Sequence, residues 1–245
     1  MFGRILLFVL ILTSLSFNVR AQRQALQFGR NEKLPEQDIA EAIFLTALKN
    51  IKLPVQIQAL PPARATKYNK SLHLSGEIAR IHSYGESHTD LIRVIPSYYQ
   101  LYSAVYVKKN SPLQIESIKD LKNLRVGHVH GVQHSLDIVK GLKNVQTVSE
   151  SKNLFNMLFA DRFDAVITAT IDGDLILGQM KLVNDVRSTV LGRKELFVYL
   201  NQSTAHLAKE IGTELTRMKK NNEIEKIIEI KRIELTRSKP PIQIN

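Results

Sequence analysis

The fold is decided by the stretch LYSAVYVKKNSPLQIESIKDLKNLRVGHVHGV, residues Leu101–Val132. Side chains over Ala104–Lys108 alternate between two faces, as they do in a β-strand. Asn110-Ser111-Pro112 ends that strand, because proline has no amide hydrogen to donate to a neighbouring strand. A short helical turn over Ile115–Leu121 and a β-branched run over Leu124–Val129 follow. The stretch therefore predicts a strand, a spacer, and a second strand that leads into a helix.

Helix and strand patterns also alternate on both sides of this stretch. Before it, the sequence predicts strands over 26–28, 55–60, 76–81 and 91–96, a helix over 38–50 and another that opens at Pro61. After it, we expect a helix over 133–142, strands at 145–148, 164–167, 186–191 and 196–200, and two amphipathic helices from Ala205 onward. Residues 83–89 read as a polar loop, and Asp172 as a helix cap. This alternation is typical of an α/β protein.

Composition limits the possible classes of site. The 245-residue chain is 44% hydrophobic, which favours a globular protein over a disordered one. It contains no cysteine, which excludes disulfides, thiolate metal sites, a cysteine nucleophile and a lipid-attachment cysteine. It also has no glycine-rich phosphate loop and no Gly-x-Ser-x-Gly elbow. We therefore expect no catalytic residue and no cofactor.

Residues 1–21 have the pattern of a secretory signal peptide, with Arg4 before an apolar run and small residues up to Ala21. The apolar run is shorter than the roughly 20 residues that span a bilayer. The net charge is +11, but in the C-terminal helices the basic residues alternate with glutamates, as on a solvated helix face. We expect export to the periplasm, no nucleic-acid partner, and a polar or anionic ligand.

The order Tyr106-Val107-Lys108-Lys109, Ser111-Pro112, Asp120-Leu121 and Leu124-Arg125-Val126-Gly127 resembles the bacterial extracellular solute-binding proteins of family 3. The later Asp161-Arg162-Phe163-Asp164-Ala165-Val166 matches the same family. This resemblance implies an α/β, two-lobed periplasmic-binding-protein-like (type 2) fold with two crossover strands. Lobe one would comprise residues 22–105 and 193–245, and lobe two residues 106–192.

The resemblance also implies where a ligand would be held. The candidate contact residues are Arg64, Arg80, Tyr98, Gln133, His134 and Thr168. A guanidinium group is the usual partner of a carboxylate, and exposed amides at the helix start near Gln133 attract an anion. Three of the candidates also have a structural interpretation: Arg64 on a helix face, Arg80 in a strand-end salt bridge, and Tyr98 in rim or core packing.

Two departures from the family pattern bear on the ligand. Ala169 stands where amino-acid-binding members carry an aspartate for the ligand's amine, and His88 stands near the position of their arginine. Without these partners, ordinary α-amino acids are not expected to bind in the usual way, because an unpaired buried charge is costly. Separately, the histidine cluster, which we define as His128, His130 and His134, has a spacing that could present three imidazoles to zinc. With no carboxylate nearby, we expect no metal there.

Together these features predict a monomeric periplasmic solute-binding protein. It would capture a small polar or anionic solute by hinge closure between its lobes and present the closed form to the permease of an ABC-type transporter or to a sensor. Two alternatives remain. One is an enzyme on the same fold, resembling cyclohexadienyl dehydratases, and the other is a periplasmic sensor or interaction module with little ligand affinity.

Overall fold

The computed structural model describes residues 25–61, 64 and 74–237. The predicted signal peptide at residues 1–21 lies outside the described residues, as does most of the helix predicted after Pro61. Across the described part, no helix combines the length and the apolar character that a membrane crossing requires.

One mixed sheet organises the described residues. Its strands are β1 (Leu26–Asn31), β2 (Val55–Leu60), β3 (Gly76–Ile81), β4 (Ile92–Arg93), β5 (Tyr99–Lys108), β6 (Val126–Val129), β7 (Val145–Val148), β8 (Ala165–Ala169) and β9 (Val186–Leu200). The strand order is β2-β1-β3-β9-β5-β8-β6-β7, and β4 also pairs with β9. The pairs β1/β2, β1/β3, β6/β7 and β6/β8 are parallel, whereas the pairs of β5 with β8 and of β9 with β3, β4 and β5 are antiparallel.

Helices cover the sheet. Within the described ranges, the α-helices are α1 (Pro35–Asn50), α2 (His82–Ser87), α3 (Gln133–Val139), α4 (Ser151–Phe159), α5 (Thr170–Met180), α6 (Ala208–Lys220) and α7 (Glu223–Arg237). Proline at the first position of α1 and acids in its first turn suit the positive end of the helix dipole. In α6, Leu215 and Met218 face the core, and the last turn is basic.

The two long strands β5 and β9 pair along their length and join the two halves of the sheet. We call the half that contains β1–β4 the first lobe and the half that contains β6–β8 the second lobe. Two separate strands were predicted at 186–191 and 196–200, but β9 is continuous from Val186 to Leu200. The register shifts where Ser103 pairs with Gly192 and Ala104 pairs with Val190, which leaves Leu191 as a bulge. The α/β class and the two crossing strands are thus confirmed.

Separate hydrophobic clusters fill the two lobes. A large cluster in the first lobe packs α1, α6 and α7 against β3 and β9, and it also includes Ile171 and Leu175 of α5. Two clusters lie on opposite faces of the second-lobe sheet, and one of them includes Leu34 from the first lobe. Side chains from each lobe therefore enter the other lobe's core, which is how a closed two-lobed molecule is held together.

Three further predicted elements differ from the structure. Residues 83–89 were expected as a loop, but α2 occupies His82–Ser87 and is anchored by the buried Tyr84. The strand predicted over 91–96 is reduced to two residues, because Pro96 has no N–H to extend the pairing. The helix predicted to reach Leu142 ends at Val139, and Gly141, with a φ of 86°, turns the chain.

Candidate functional site

A bulge in β3 places two opposite charges side by side. In a regular strand, Glu77 and Arg80 would point to opposite faces of the sheet, because side chains alternate. The β3/β9 register shifts between these residues, and Ala79 has a φ of 55°. The bulge turns both side chains to one side, where Arg80 Nε donates to Glu77 Oε2 at 2.5 Å. A left-handed alanine costs about 1 kcal/mol, so the bulge must be held by its neighbours.

Tyr98 and Gln37 hold the bulge. The Tyr98 hydroxyl accepts the N–H of Ala79 at 3.0 Å, and Gln37 Nε2 donates to the carbonyl of Ala79 at 3.2 Å. Tyr98 is only 3% exposed and belongs to the first-lobe core. Its observed contacts are therefore those of a packing residue, whereas its predicted ligand contact stays a prediction.

Arg80 is a buried cation with three partners on the first lobe. Besides Glu77, its Nη1 donates to Asn31 Oδ1 at 2.8 Å, and its guanidinium lies 4.8 Å from the centre of the Tyr84 ring. Arg80 is 5% exposed and Glu77 is fully buried. The salt-bridge interpretation of Arg80 is therefore observed. The remaining nitrogen, Nη2, is buried without a hydrogen-bond acceptor among the described residues.

Glu36 and Asp172 join the two lobes. The backbone N–H of Glu36, in the first turn of α1, donates to Asp172 Oδ1 at 2.9 Å. Such an N–H has no partner within its own helix, so a carboxylate there acts as a cap supplied by the other lobe. Asp172 was predicted to cap α5. That prediction is wrong, because α5 has no side-chain cap and Asp172 lies inside its first turn. Both carboxyl groups are buried, at 2% and 0% exposure.

Burial raises the pKa values of both carboxyl groups, Glu36 and Asp172. Burial raises the pKa of Glu36 to about 7, against the opposing effects of a hydrogen bond from Gln37 and the charge of Arg80. The pKa of Asp172 is also raised, first by burial and then by the charge of Glu36. One oxygen of each carboxyl, Glu36 Oε2 and Asp172 Oδ2, is buried without a hydrogen-bond partner in the described part of the chain.

We define the junction cluster as Asn31, Glu36, Glu77, Arg80 and Asp172. All five side chains are buried where the first lobe meets α5. The cluster contains one cationic group and three carboxyl groups, so it is not a purely cationic pocket for anions. It leaves one guanidinium nitrogen and two carboxyl oxygens open for hydrogen bonding. A molecule that both donates and accepts hydrogen bonds would match these atoms.

The start of α3 presents two of the predicted contact residues. His134 is 4% exposed, and its Nδ1 forms a 2.9 Å hydrogen bond with Ser103 Oγ on the crossing strand β5. Burial lowers the pKa of His134 to about 4, so its imidazole is neutral at pH 7. Gln133 is half-buried and donates to Asp137 on the next turn at 3.0 Å. Both side chains are therefore positioned by neighbours.

Further bridges connect the lobes around the junction cluster. Ser83 of α2 donates to Asp137 of α3 at 2.9 Å, and Lys33 contacts Glu150 at 2.5 Å on the exposed surface. The first bridge is half-buried and the second is solvent-exposed. The exposed pair contributes little to stability, because solvent screens the two charges. These contacts place the lobes in a closed arrangement.

The other two predicted residues lie apart from these contacts. Thr168 is buried on β8, where it pairs with Ala104 of β5. Arg64 has helical backbone geometry and an exposed side chain. Ligand contacts of both residues stay predictions.

The histidine cluster is not assembled as a metal site. His128 is buried and bonds Ser135 Oγ through Nδ1 at 3.2 Å, His134 bonds Ser103, and His130 is exposed. No group of three histidine or acidic side chains in the described ranges is arranged to hold a metal ion.

Sequence reasoning missed three members of the junction cluster. Asn31 and Glu36 were not singled out, and Asp172 was given the wrong partner. The sequence does carry a signal for Glu36, because a carboxylate directly after Pro35 is typical of the first turn of a helix. No local pattern could link Glu36 to Asp172, because 136 residues separate them.

Comparisons by sequence give little information about this chain. No protein-family model matches the chain. An uncharacterized protein of Shewanella oneidensis is 24% identical over 194 residues, which cover 76% of this chain and 73% of that protein.

Several solved structures resemble this chain in fold, although their sequence identity to it is low. The ligand-binding core of GluR0 in complex with L-glutamate has a TM-score of 0.72 at 14% identity, covering 85% of this chain and 98% of that one. A histidine kinase sensor domain with similarity to periplasmic binding proteins has a TM-score of 0.71 at 16% identity, covering 91% and 100%. An amino acid ABC transporter substrate-binding protein from Streptococcus pneumoniae, bound to L-arginine, has a TM-score of 0.68 at 14% identity, covering 87% and 97%. The two-lobed periplasmic-binding-protein-like fold is thereby confirmed.

Proposed function

We propose that this chain is a periplasmic solute-binding protein of the kind that serves ABC-type transporters, related to the extracellular solute-binding proteins of family 3. The observation that carries the proposal is the junction cluster. Both lobes contribute to it, all five side chains are buried, and three polar atoms in it are left open. Unsatisfied buried polar atoms are costly, so a solute that pairs with them has a reason to bind there.

The mechanism is hinge closure. A solute that contacts both lobes stabilises the closed form by its differential affinity for that form over the open one. Arg80 Nη2 would meet an acceptor on the solute, and Glu36 and Asp172 would meet its donors. This set favours a small polar solute with groups of both kinds over a purely anionic one. Our proposed contacts around it remain Arg64, Tyr98, Gln133, His134 and Thr168.

The proposed function implies a division of the chain into two lobes. We propose residues 22–105 and 193–245 as lobe one and residues 106–192 as lobe two, preceded by a signal peptide at 1–21. The hydrophobic clusters support this division for most core residues; the residues that pack across it are Leu34, Ala104, Val105, Ala169, Ile171 and Leu175. We propose that the protein is a monomer in the periplasm and delivers its closed form to a membrane permease.

The test begins with a thermal-shift screen of purified protein against small polar metabolites, with and without chelator. A compound that raises Tm is then examined by small-angle X-ray scattering. We expect saturable binding and a smaller radius of gyration, because closure brings the lobes together. Binding without compaction, or no binding across amino acids, amines and hydroxy acids, would overturn the proposal.

A variant pair locates the site. Thr168→Val removes the hydroxyl of a proposed ligand contact on β8 while keeping the shape of the side chain. We expect it to weaken solute binding about tenfold, through loss of one buried hydrogen bond. Thr213→Val on the exposed face of α6 is the matched control and should leave binding unchanged. Equal effects of both variants would place the solute elsewhere.

An enzyme on the same fold is the second candidate, and the pKa of Glu36 is the observation that favours it. A buried carboxyl group whose pKa is raised to about 7 is suited to general acid–base chemistry at neutral pH. Turnover of prephenate or arogenate that is lost in Glu36→Gln would support this candidate. Tight binding of these compounds without turnover would support the binding protein.

A further inference from the structure

A cavity of about 310 Å³ lies between the start of β5, the start of α5 and the C-terminal helices α6 and α7. No residue of the junction cluster lines it. Its volume lies at the lower end of the range of about 300–1,000 Å³ that is common for small-molecule sites. The cavity is thus large enough for a compact organic molecule.

The body of the cavity is apolar. Ile171 at the start of α5 and Ile224 and Ile228 on α7 line it, together with the rings of Tyr99 and Tyr102. Ile171 and Ile224 are buried, whereas Tyr102 is 42% exposed. Ile171 and Ile224 belong to the first-lobe hydrophobic cluster and Tyr99 packs against it, so an occupant would lie against that core.

Charged side chains also line the cavity. Lys219 and Arg232 are two exposed cations, and neither has an acidic partner within 4.0 Å among the described residues. One acid, Glu225, lines the cavity as well. The local balance is positive, and the two cations are available to a ligand. Burial raises the pKa of the Tyr99 phenol, the charges of Glu36 and Asp172 raise it further, and the charge of the nearby Arg232 opposes this rise. The cationic and aromatic parts of the lining are therefore adjacent.

We propose that this cavity is a second binding site, distinct from the one between the lobes, and that it takes a small amphipathic carboxylate. The apolar body of the ligand would pack on Ile171, Ile224 and Ile228 and on the tyrosine rings. Its carboxylate would pair with Lys219 and Arg232, because lysine and arginine are the natural partners of an organic anion.

Isothermal titration calorimetry with octanoate, below its micelle-forming concentration, tests the proposal on the full mature chain. We expect saturable one-to-one binding. Hexanoate should bind roughly tenfold more weakly, because two fewer methylene groups are buried. The amine octylammonium and the neutral 1-octanol should bind more weakly than octanoate, since neither carries the negative charge.

Charge variants separate the proposed pairing from general adsorption on apolar surface. The double variant Lys219→Gln/Arg232→Gln should weaken octanoate binding about tenfold. Glu225→Gln should strengthen it about threefold, because a repulsive charge is removed. The matched control is Lys220→Gln, an exposed cation one residue from Lys219 that does not line the cavity. It should leave the affinity unchanged.

Three results would overturn the proposal: no saturable binding of octanoate, equal affinity for octanoate and 1-octanol, or equal effects of the double variant and Lys220→Gln. A failure here leaves the solute site between the lobes unaffected. That site is measured with polar metabolites and with Thr168→Val.

Discussion

Glu36→Gln and His134→Asn are expected to reveal two opposite pH dependences that offset each other in the unmodified protein. Raising the pKa of Glu36 from 4.5 to about 7 corresponds to about 3 kcal/mol in the free energy of unfolding. Lowering the pKa of His134 from 6.5 to about 4 corresponds to a similar amount. Both side chains are buried, so solvent screening reduces neither effect substantially.

The signs follow from proton linkage. Between pH 4.5 and about 7 the folded state holds a proton on Glu36 that the unfolded state has lost, so stability falls as pH rises. Between about pH 4 and 6.5 the unfolded state holds a proton on His134 that the folded state lacks, so stability falls as pH decreases. The two slopes therefore oppose each other over the shared range.

Urea unfolding followed by circular dichroism from pH 4 to 8 measures both slopes as differences from the unmodified protein. Relative to it, Glu36→Gln should gain about 3 kcal/mol in stability as pH rises from 4.5 to 7. Loss of the Glu36 charge also relieves Asp172, which acts in the same direction. His134→Asn should gain a similar amount as pH falls from 6.5 to 4.

The control is Glu229→Gln, on the exposed face of α7, which should run parallel to the unmodified protein. The measured quantity is the change in the free energy of unfolding with pH. Each substitution can also alter stability through packing, but that contribution does not vary with pH. A Glu36→Gln profile parallel to the unmodified one between pH 4.5 and 7 would refute the assigned protonation state of this junction.

Three further outcomes are expected. Arg80→Ala should lower the free energy of unfolding by about 3–5 kcal/mol, because it removes the cation beside the fully buried Glu77. Adding Glu77→Gln to this variant should restore part of the loss. An unchanged urea midpoint for Arg80→Ala would contradict this prediction. Gly212→Ala should destabilise the protein by about 1–3 kcal/mol, because the added Cβ would lie 2.2 Å from the carbonyl oxygen of Ile95. The control Gly178→Ala, whose Cβ would have no atom within 4 Å, should stabilise its helix by up to about 1 kcal/mol. Equal shifts in Tm for the two variants would refute the assigned packing. Calorimetry of metal-free protein with zinc should give no binding at the histidine cluster, and micromolar affinity lost on its mutation would contradict that expectation.

The sequence was most informative where neighbouring residues determine the structure. The alternation over Ala104–Lys108 and the break at Pro112 predicted the end of the crossing strand β5, and it is observed there. The helix α2 was missed because its sequence, HSYGES, is polar and contains glycine. Only its contact with the core, through Tyr84, makes it a helix, and that contact is not visible in a local pattern.

The candidate site was predictable only in part, for the same reason. Arg80 was identified, as was its possible role in a salt bridge. Its bulge depends on Ala79 adopting a left-handed conformation, which no propensity of alanine suggests. The pairing of Glu36 with Asp172 depends on how the two lobes close. Contacts of this kind are set by tertiary packing.

The position of β9 has a consequence for how the protein is made. This strand lies between β3 and β5 in the middle of the sheet, yet it is the last strand in the chain. While the ribosome is still adding residues before Val186, β3 and β5 each present an open edge, because the strand that pairs with both has not been made. The nascent chain therefore completes its central ladder only after its last strand has been made.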